Sequence, residues 1–177
     1  MNFTEAACEK LERYLVSGDA KRAEVLGKKL KTAAGDSHWN LARLSTAYYE
    51  ARKYKMALRI VERARKLDPR CPYVLWSYAG TLSMIEREQE AIDVYQGLLR
   101  RGTQNIAFGE CGEGARWAES LLNDCRYRIA DCYYLQSKKS LAARWLKTHL
   151  DHRRPGLRSL YSLKDVKELQ AELTAKK

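Results

Sequence analysis

Residues 38–71 carry the sequence HWNLARLSTAYYEARKYKMALRIVERARKLDPRC, which decides the fold of the chain. Leu41, Leu44 and Tyr48 recur at intervals of three and four residues, the spacing of an apolar stripe on one face of a helix. After a short polar break, a second such stripe ends just before Pro69, because proline disfavours helical geometry at the residue that precedes it. The segment therefore predicts two consecutive amphipathic helices.

The helix pair recurs along the chain with a period of 34 residues. Ala23, Ala57 and Ala91 are spaced by 34 residues, and Ala142 follows after one further period and 17 additional residues. Self-similarity at such a period is the signature of a repeat protein. The spacing predicts four repeats, at 4–37, 38–71, 72–105 and 123–156, and a glycine-containing insertion loop at 103–119.

Small residues lie where the two helices of a pair must approach each other closely. In the first helices they are Ser45, Ala79 and Ala130, and the recurring alanines match them in the second helices. With the large residues beside them, they make the chain similar to the tetratricopeptide repeat family. The residues that carry this resemblance are Leu44-Ser45, Tyr48, Ala57, Ala64 and Pro69 in repeat 2, Tyr78-Ala79, Leu82, Ala91, Tyr95 and Leu98 in repeat 3, and Ile129-Ala130, Tyr133, Ala142 and Leu146 in repeat 4.

The resemblance implies an all-α fold over residues 1–177, a right-handed α-solenoid of stacked helix-turn-helix repeats. Repeat 1 matches least, since Leu11 stands where the family has a small residue and Gly27 where it has a bulky one. Terminal repeats are often atypical, and we still predict two helices there, at 4–17 and 20–33.

The segment after the last repeat predicts one more helix. Ser162 and Asp165 have the spacing of a capping box, which marks the start of a helix. An apolar face follows, and repeat arrays need a terminal element with a polar outer side. We therefore expect a capping helix at 162–176.

In the tetratricopeptide family the first helix of each repeat lines a concave groove, and the resemblance implies the same here. First-helix residues outside the packing stripe are then the candidates for binding a peptide or partner helix. Many are Trp, Tyr or Arg, the types that dominate interface hot spots. They are Trp39, Arg43, Thr46, Tyr49, Tyr73, Trp76, Ser77, Tyr127, Arg128, Asp131 and Tyr134.

These residues predict a protein–protein interaction module, acting as an adaptor, co-chaperone or assembly scaffold. The net charge of +11 favours a partner that is acidic or contains aromatic residues. Self-association through the unfilled end at 4–37 is a further possibility. The alternative is binding of RNA or an anionic surface through two basic tracts, 38–71 and 138–158, each with a net charge of +6.

Catalytic chemistry is not expected, because the chain has none of the HExxH, GxSxG, GxGxxG or P-loop motifs. Its five cysteines form no CxxC pair, which argues against a disulfide framework and a thiolate zinc site. His149 and His152 are interpreted as cations near a helix C-terminus. The sequence thus predicts a protein that is not an enzyme, with no cofactor and no metal.

The cellular location is predicted from the lack of a membrane-helix pattern and of a secretory-signal pattern in the sequence. No apolar run approaches the ~20 residues that a membrane helix requires, so membrane insertion is not expected. The first residues are charged and lack the apolar stretch of a secretory signal. The sequence therefore predicts a cytoplasmic location.

Overall fold

The structure, a computed structural model, describes residues 2–175, and every regular element in that part of the chain is an α-helix. This confirms the all-α prediction. The chain divides between Ile85 and Glu86, inside predicted repeat 3, into an N-terminal and a C-terminal unit. The N-terminal unit contains α1 (Glu5–Val16), α2 (Ala20–Ala34), α3 (His38–Glu50), α4 (Tyr54–Leu67) and α5 (Pro72–Ser83). The C-terminal unit contains α6 (Glu88–Ala107), α7 (Ala115–Leu135), α8 (Lys139–Asp151) and α9 (Leu163–Thr174).

Side-chain caps fix where the first three helices begin. The side chains of Thr4, Asp19 and Ser37 accept hydrogen bonds from backbone N–H groups in the first turns of α1, α2 and α3. Such bonds satisfy donors that have no partner within the helix. The helix α5 starts with Pro72, whose missing N–H costs nothing in the first turn.

Packing in the N-terminal unit follows the order of the predicted pairs. The first helices α1, α3 and α5 contact one another in succession, and α2 and α4 each contact the helices before and after them in the chain. Ala23 and Ala57 are buried, and the Ser45 hydroxyl donates a 2.9 Å hydrogen bond to the Ala57 carbonyl across the α3–α4 pair. The close approach predicted from small residues is therefore confirmed in this unit.

The atypical residues of repeat 1 compensate for each other. Leu11 in α1 is fully buried, and a Cβ atom added at Gly27 in α2 would lie 3.7 Å from its Cδ1 atom. The same Cβ atom would clash with the Tyr48 hydroxyl of α3. Compared with the family pattern, the large residue of this contact lies in the first helix and the small one in the second. The two helices therefore still pack closely.

In the C-terminal unit, α7 contacts both α6 and α8, and α8 also contacts α9. The predicted small positions Ala91, Ala130 and Ala142 have no exposed surface. Of the two tyrosines that carry the resemblance in this unit, Tyr95 is fully buried and Tyr133 is half-buried. The predicted packing stripe is therefore confirmed most strongly at its small residues.

The predicted loop at 103–119 is mostly helical, which corrects that prediction. The helix α6 breaks at Gly102, with φ 72° and ψ 165°, but continues to Ala107, and α7 already begins at Ala115. Ile106 and Ala118 are fully buried, and this apolar packing holds both flanks as helix. The glycines that suggested a loop are concentrated in the short connection between the two helices.

The capping helix begins where the sequence predicts. Ser162 accepts a hydrogen bond from the Asp165 N–H, and the Asp165 carboxylate accepts one from the Ser162 N–H, forming a capping box. The helix α9 ends at Thr174, and the last predicted residue, Lys176, lies outside the described residues. Across residues 2–175, no helix combines the length and apolar character that crossing a bilayer demands.

Candidate partner-binding surfaces

One face of the N-terminal unit gathers side chains from three successive first helices. The Arg43 guanidinium of α3 lies 3.2 Å from a Glu5 carboxylate oxygen of α1. The Thr46 hydroxyl of α3 lies 3.2 Å from the Tyr73 hydroxyl of α5, within hydrogen-bonding distance. We call this surface the N-terminal face, defined by Glu5, Trp39, Arg43, Thr46 and Tyr73.

Two aromatic rings pack against each other on the N-terminal face. The rings of Trp39 and Tyr73 lie 4.8 Å apart between centroids, at an interplanar angle of 39°. Burial raises the pKa of the Tyr73 hydroxyl, which therefore stays a neutral hydrogen-bonding group. Trp76 and Ser77 follow Tyr73 by three and four residues and share its side of α5.

The predicted binding residues of this unit all remain reachable. Each is partly exposed, neither sealed in the core nor projecting fully into solvent: Trp39, Arg43, Thr46, Tyr49, Tyr73, Trp76 and Ser77. Tyr49 packs edge-on against Tyr54 of α4, with 5.5 Å between ring centroids. Rings held by neighbours in this way lose little conformational entropy when a ligand docks.

Acidic side chains outnumber arginine on the N-terminal face and along α1, although the whole chain is strongly basic. Glu5, Glu9 and Glu12 are spaced by four and three residues and so lie along one side of α1. Burial, and then the charge of Glu12, raise the pKa of the Glu50 carboxyl in α3. The local charge therefore differs from the net charge that predicted an acidic partner.

The predicted residues of repeat 4 contact the chain itself. The Tyr127 ring of α7 stacks on Tyr161, with 3.9 Å between centroids and an angle of 15°. Tyr134 donates a hydrogen bond to the Glu172 carboxylate of α9. Tyr127 also packs in one apolar cluster with Val166 of α9, so the C-terminal segment covers this side of α7.

Arg128 forms hydrogen bonds within the C-terminal unit. It is 8% exposed, its Nε atom donates to the Tyr95 hydroxyl at 3.3 Å, and its guanidinium lies 3.4 Å from the Asp131 carboxylate. Burial raises the pKa of Asp131, and the charge of Arg128 partly offsets that rise. The structure thus corrects the placement of Tyr127 and Arg128, which are buried rather than open to a groove, while Asp131 and Tyr134 remain partly exposed.

A buried carboxylate fixes the segment that leads into α9, a feature that the sequence reasoning missed. Asp124 of α7 accepts hydrogen bonds from the Ser159 hydroxyl at 2.5 Å and from the Leu160 N–H at 2.9 Å. Arg153 donates a 2.9 Å hydrogen bond to the Tyr161 carbonyl. No motif or periodicity links residues 35 positions apart, so only the structure reveals this contact.

His149 is a buried hydrogen-bonded group, whereas the sequence predicted a cation near the helix C-terminus. Its side chain has no exposed surface, and Nδ1 lies 2.9 Å from the Asn123 carbonyl. That carbonyl can only accept, so Nδ1 carries the proton and Nε2 faces the Arg153 guanidinium at 3.3 Å. Burial, and to a smaller extent Arg153 and Arg126, lower the pKa of His149, while Asn123 and Asp124 oppose this.

Unfolding should therefore become easier in mildly acidic solution. Below the ordinary histidine pKa of about 6.5, the unfolded chain binds a proton that the folded chain resists, so stability falls as the pH falls. We expect urea unfolding midpoints to decrease from pH 7.5 to 5.5, and the His149→Gln variant to show a smaller decrease. The His152→Gln variant keeps His149 and should follow the wild type; equal pH dependence in all three proteins would contradict this assignment.

Neither a scan against protein-family models nor a search of curated proteins finds a match to this chain.

Proposed function

We propose that the N-terminal unit is a tetratricopeptide-type protein-interaction module that binds a peptide or partner helix on the N-terminal face. The observation that carries this proposal is the convergence of partly exposed side chains from α1, α3 and α5, joined by the Arg43–Glu5, Thr46–Tyr73 and Trp39–Tyr73 contacts. In this proposal the helix pairs of the unit stack as in a tetratricopeptide solenoid. The protein then serves as an adaptor, co-chaperone or assembly scaffold.

The ion pair within the N-terminal face is weak enough for a group on a bound chain to replace one of its members. The Arg43 side chain is 35% exposed and that of Glu5 is 67% exposed, and exposed ion pairs contribute only about 0–1 kcal/mol. A group on a bound chain can therefore replace either member at little cost. The Trp39 and Tyr73 rings supply a rigid apolar surface beside this pair, as hot-spot residues do.

The charge of the face favours a partner with aromatic and basic residues. Glu5 lies on the face beside its one arginine, and Glu9 and Glu12 share the side of α1 that carries Glu5. Glu12 also lies close enough to Glu50 for its charge to raise the pKa of that carboxyl. Opposite charges across an interface speed association and exclude wrong partners. We therefore expect lysine or arginine in the bound segment, rather than the acidic residues that the net charge of the chain suggested.

The RNA or anionic-surface alternative has weaker support in the basic tract at 138–158. Lys147 pairs with Asp151 at 2.6 Å, and Arg153 donates to the Tyr161 carbonyl. Lys139 donates to the Ala175 carbonyl at 3.0 Å. Because these cations bind groups of the chain itself, a phosphate backbone would have to compete with them.

A peptide selection on the full-length chain tests the proposal. We expect selected peptides to contain aromatic and basic residues, and the Trp39→Ala variant to bind them at least 10-fold more weakly, because loss of a hot-spot side chain costs about 2 kcal/mol. Arg59→Ala, an exposed position on α4, is the matched control and should bind like the wild type. Dissociation constants from fluorescence anisotropy provide the measurement, and circular dichroism checks the helical content of each variant.

Two results would contradict the proposal. One is equal affinity of the Trp39→Ala and Arg59→Ala variants for every selected peptide. The other is preferential binding of RNA whose affinity falls steeply with salt, with a log–log slope of several, as counterion release requires.

A further inference from the structure

Three metal-ligating side chains converge at the junction of α3, α4 and α5. His38 is the first residue of α3, Asp68 follows the last residue of α4, and Cys71 precedes the first residue of α5. Their nitrogen, oxygen and sulfur donor atoms lie within 4.8 Å of one another. Cys71 has no exposed surface, Asp68 is 8% exposed, and His38 is partly exposed.

The distance between His38 and Asp68 suits a shared metal ion better than a direct bond. The His38 Nε2 and Asp68 Oδ2 atoms are 3.6 Å apart, longer than a hydrogen bond of about 2.7–3.2 Å. Tetrahedral zinc with an imidazole nitrogen and a carboxylate oxygen at about 2.0–2.2 Å places these two atoms about 3.3–3.6 Å apart. The observed separation lies within that range.

Backbone hydrogen bonds orient the Asp68 carboxylate toward the cluster. Its Oδ1 atom accepts from the N–H groups of Arg70 and Cys71, both at 2.9 Å. The other oxygen, Oδ2, is the one that faces His38. Outer contacts of this kind hold the ligands of metal sites in place.

We propose that His38, Asp68 and Cys71 bind a divalent transition-metal ion of the zinc type, with water or an added ligand in the fourth position. An imidazole, a carboxylate and a thiolate form a donor set that zinc accepts. On binding, the Cys71 thiol loses its proton to solvent and its sulfur bonds to the metal. This inference departs from the sequence prediction of no metal and does not depend on the proposed partner binding.

A bound ion would link the start of α3 to the end of α4 and the start of α5. A ligand that binds only the folded chain stabilises it, so the melting temperature should rise with the metal concentration. The cluster would then hold the helix pair of repeat 2 to the first helix of repeat 3 within the N-terminal unit.

Cobalt titration of the full-length, untagged and reduced chain tests the site. We expect one equivalent of Co²⁺ to produce a thiolate-to-cobalt band in the near ultraviolet and tetrahedral d–d bands in the visible, and Zn²⁺ to remove both. Cys71→Ser should lose the thiolate band. Asp68→Asn keeps an oxygen to accept the two backbone bonds, and it should weaken binding at least about 10-fold.

Cys8→Ser is the matched control, a second buried cysteine of the same unit. Burial raises the pKa of the Cys8 thiol to about 11, so it supplies almost no thiolate at neutral pH. This variant should keep the cobalt spectrum and the metal-dependent rise in melting temperature. A folded wild type without the thiolate band, or a band that persists in Cys71→Ser, overturns the proposal. If Cys71→Ser does not fold, unchanged cobalt affinity in both Asp68→Asn and His38→Gln overturns it instead.

Discussion

The Ala57→Leu variant should unfold with a free energy about 3 kcal/mol lower than that of the wild type. Ala57 has no exposed surface, and the Ser45 hydroxyl of α3 reaches its carbonyl at 2.9 Å. Leucine would add three carbons where two helices are already in contact, and overpacking of this kind costs about 1–3 kcal/mol. Separation of the helices would also break the buried Ser45 hydrogen bond, which contributes about 1 kcal/mol.

Neighbouring alanines in α8 supply the control for this prediction. Ala142 is fully buried and Ala143 is exposed, so the same substitution tests packing at one position and not at the other. We expect Ala142→Leu to destabilise the protein as Ala57→Leu does, and Ala143→Leu to stay within about 0.5 kcal/mol of the wild type. Urea unfolding with unchanged m-values provides the measurement. Wild-type stability in both buried variants would show that the small residues do not set the helix spacing.

The sequence predicted the parts of the fold that depend on local pattern. Ala23, Ala57 and Ala91 follow the 34-residue period, Ala142 follows it after the 17-residue insertion, and all four are buried. The capping box at Ser162 is equally local, because its hydrogen bonds join residues three positions apart. Helical periodicity and capping depend on residues that are close together in the chain, and so both can be predicted from the sequence.

Packing between segments that are distant in the chain was harder to predict from the sequence. Gly27 looked like a defect of repeat 1 because its compensation comes from Leu11 and from Tyr48 of the next helix pair. Gly109, Gly112 and Gly114 suggested a loop at 103–119, but burial of Ile106 and Ala118 keeps the flanking segments helical. In each case the deciding contact joins residues whose pairing no local pattern reveals.

The candidate sites show the same limit. Helical spacing identified the half-exposed side chains of α3 and α5, since which side of a helix a residue occupies follows from its number. It could not identify burial of Tyr127 under Tyr161, which depends on where the segment after α8 folds back. Nor could a search for CxxC pairs find His38 near Asp68 and Cys71, because their proximity arises from helix packing.

The packing of α9 over α7 should contribute strongly to the stability of the protein. We expect the double variant Val166→Asp, Leu169→Asp to lose about 3 kcal/mol or more of unfolding free energy. Val166 is 1% and Leu169 is 7% exposed, and full burial of such a side chain contributes about 1.5–3 kcal/mol. Aspartate at these positions either carries an unpaired charge into the apolar cluster or drives α9 into solvent, and both cost free energy.

A control with the same added charge separates packing from electrostatics. Gln170→Asp, Ala171→Asp places two new carboxylates on the exposed side of α9 and should leave the stability nearly unchanged. Urea unfolding gives the free energies, and amide hydrogen exchange reports whether α9 opens alone or with the rest of the C-terminal unit. Trp145 packs against the same cluster, so its fluorescence should shift to longer wavelength only in the first variant. Equal stability of the two double variants would mean that α9 lies on α7 and α8 without stabilising them.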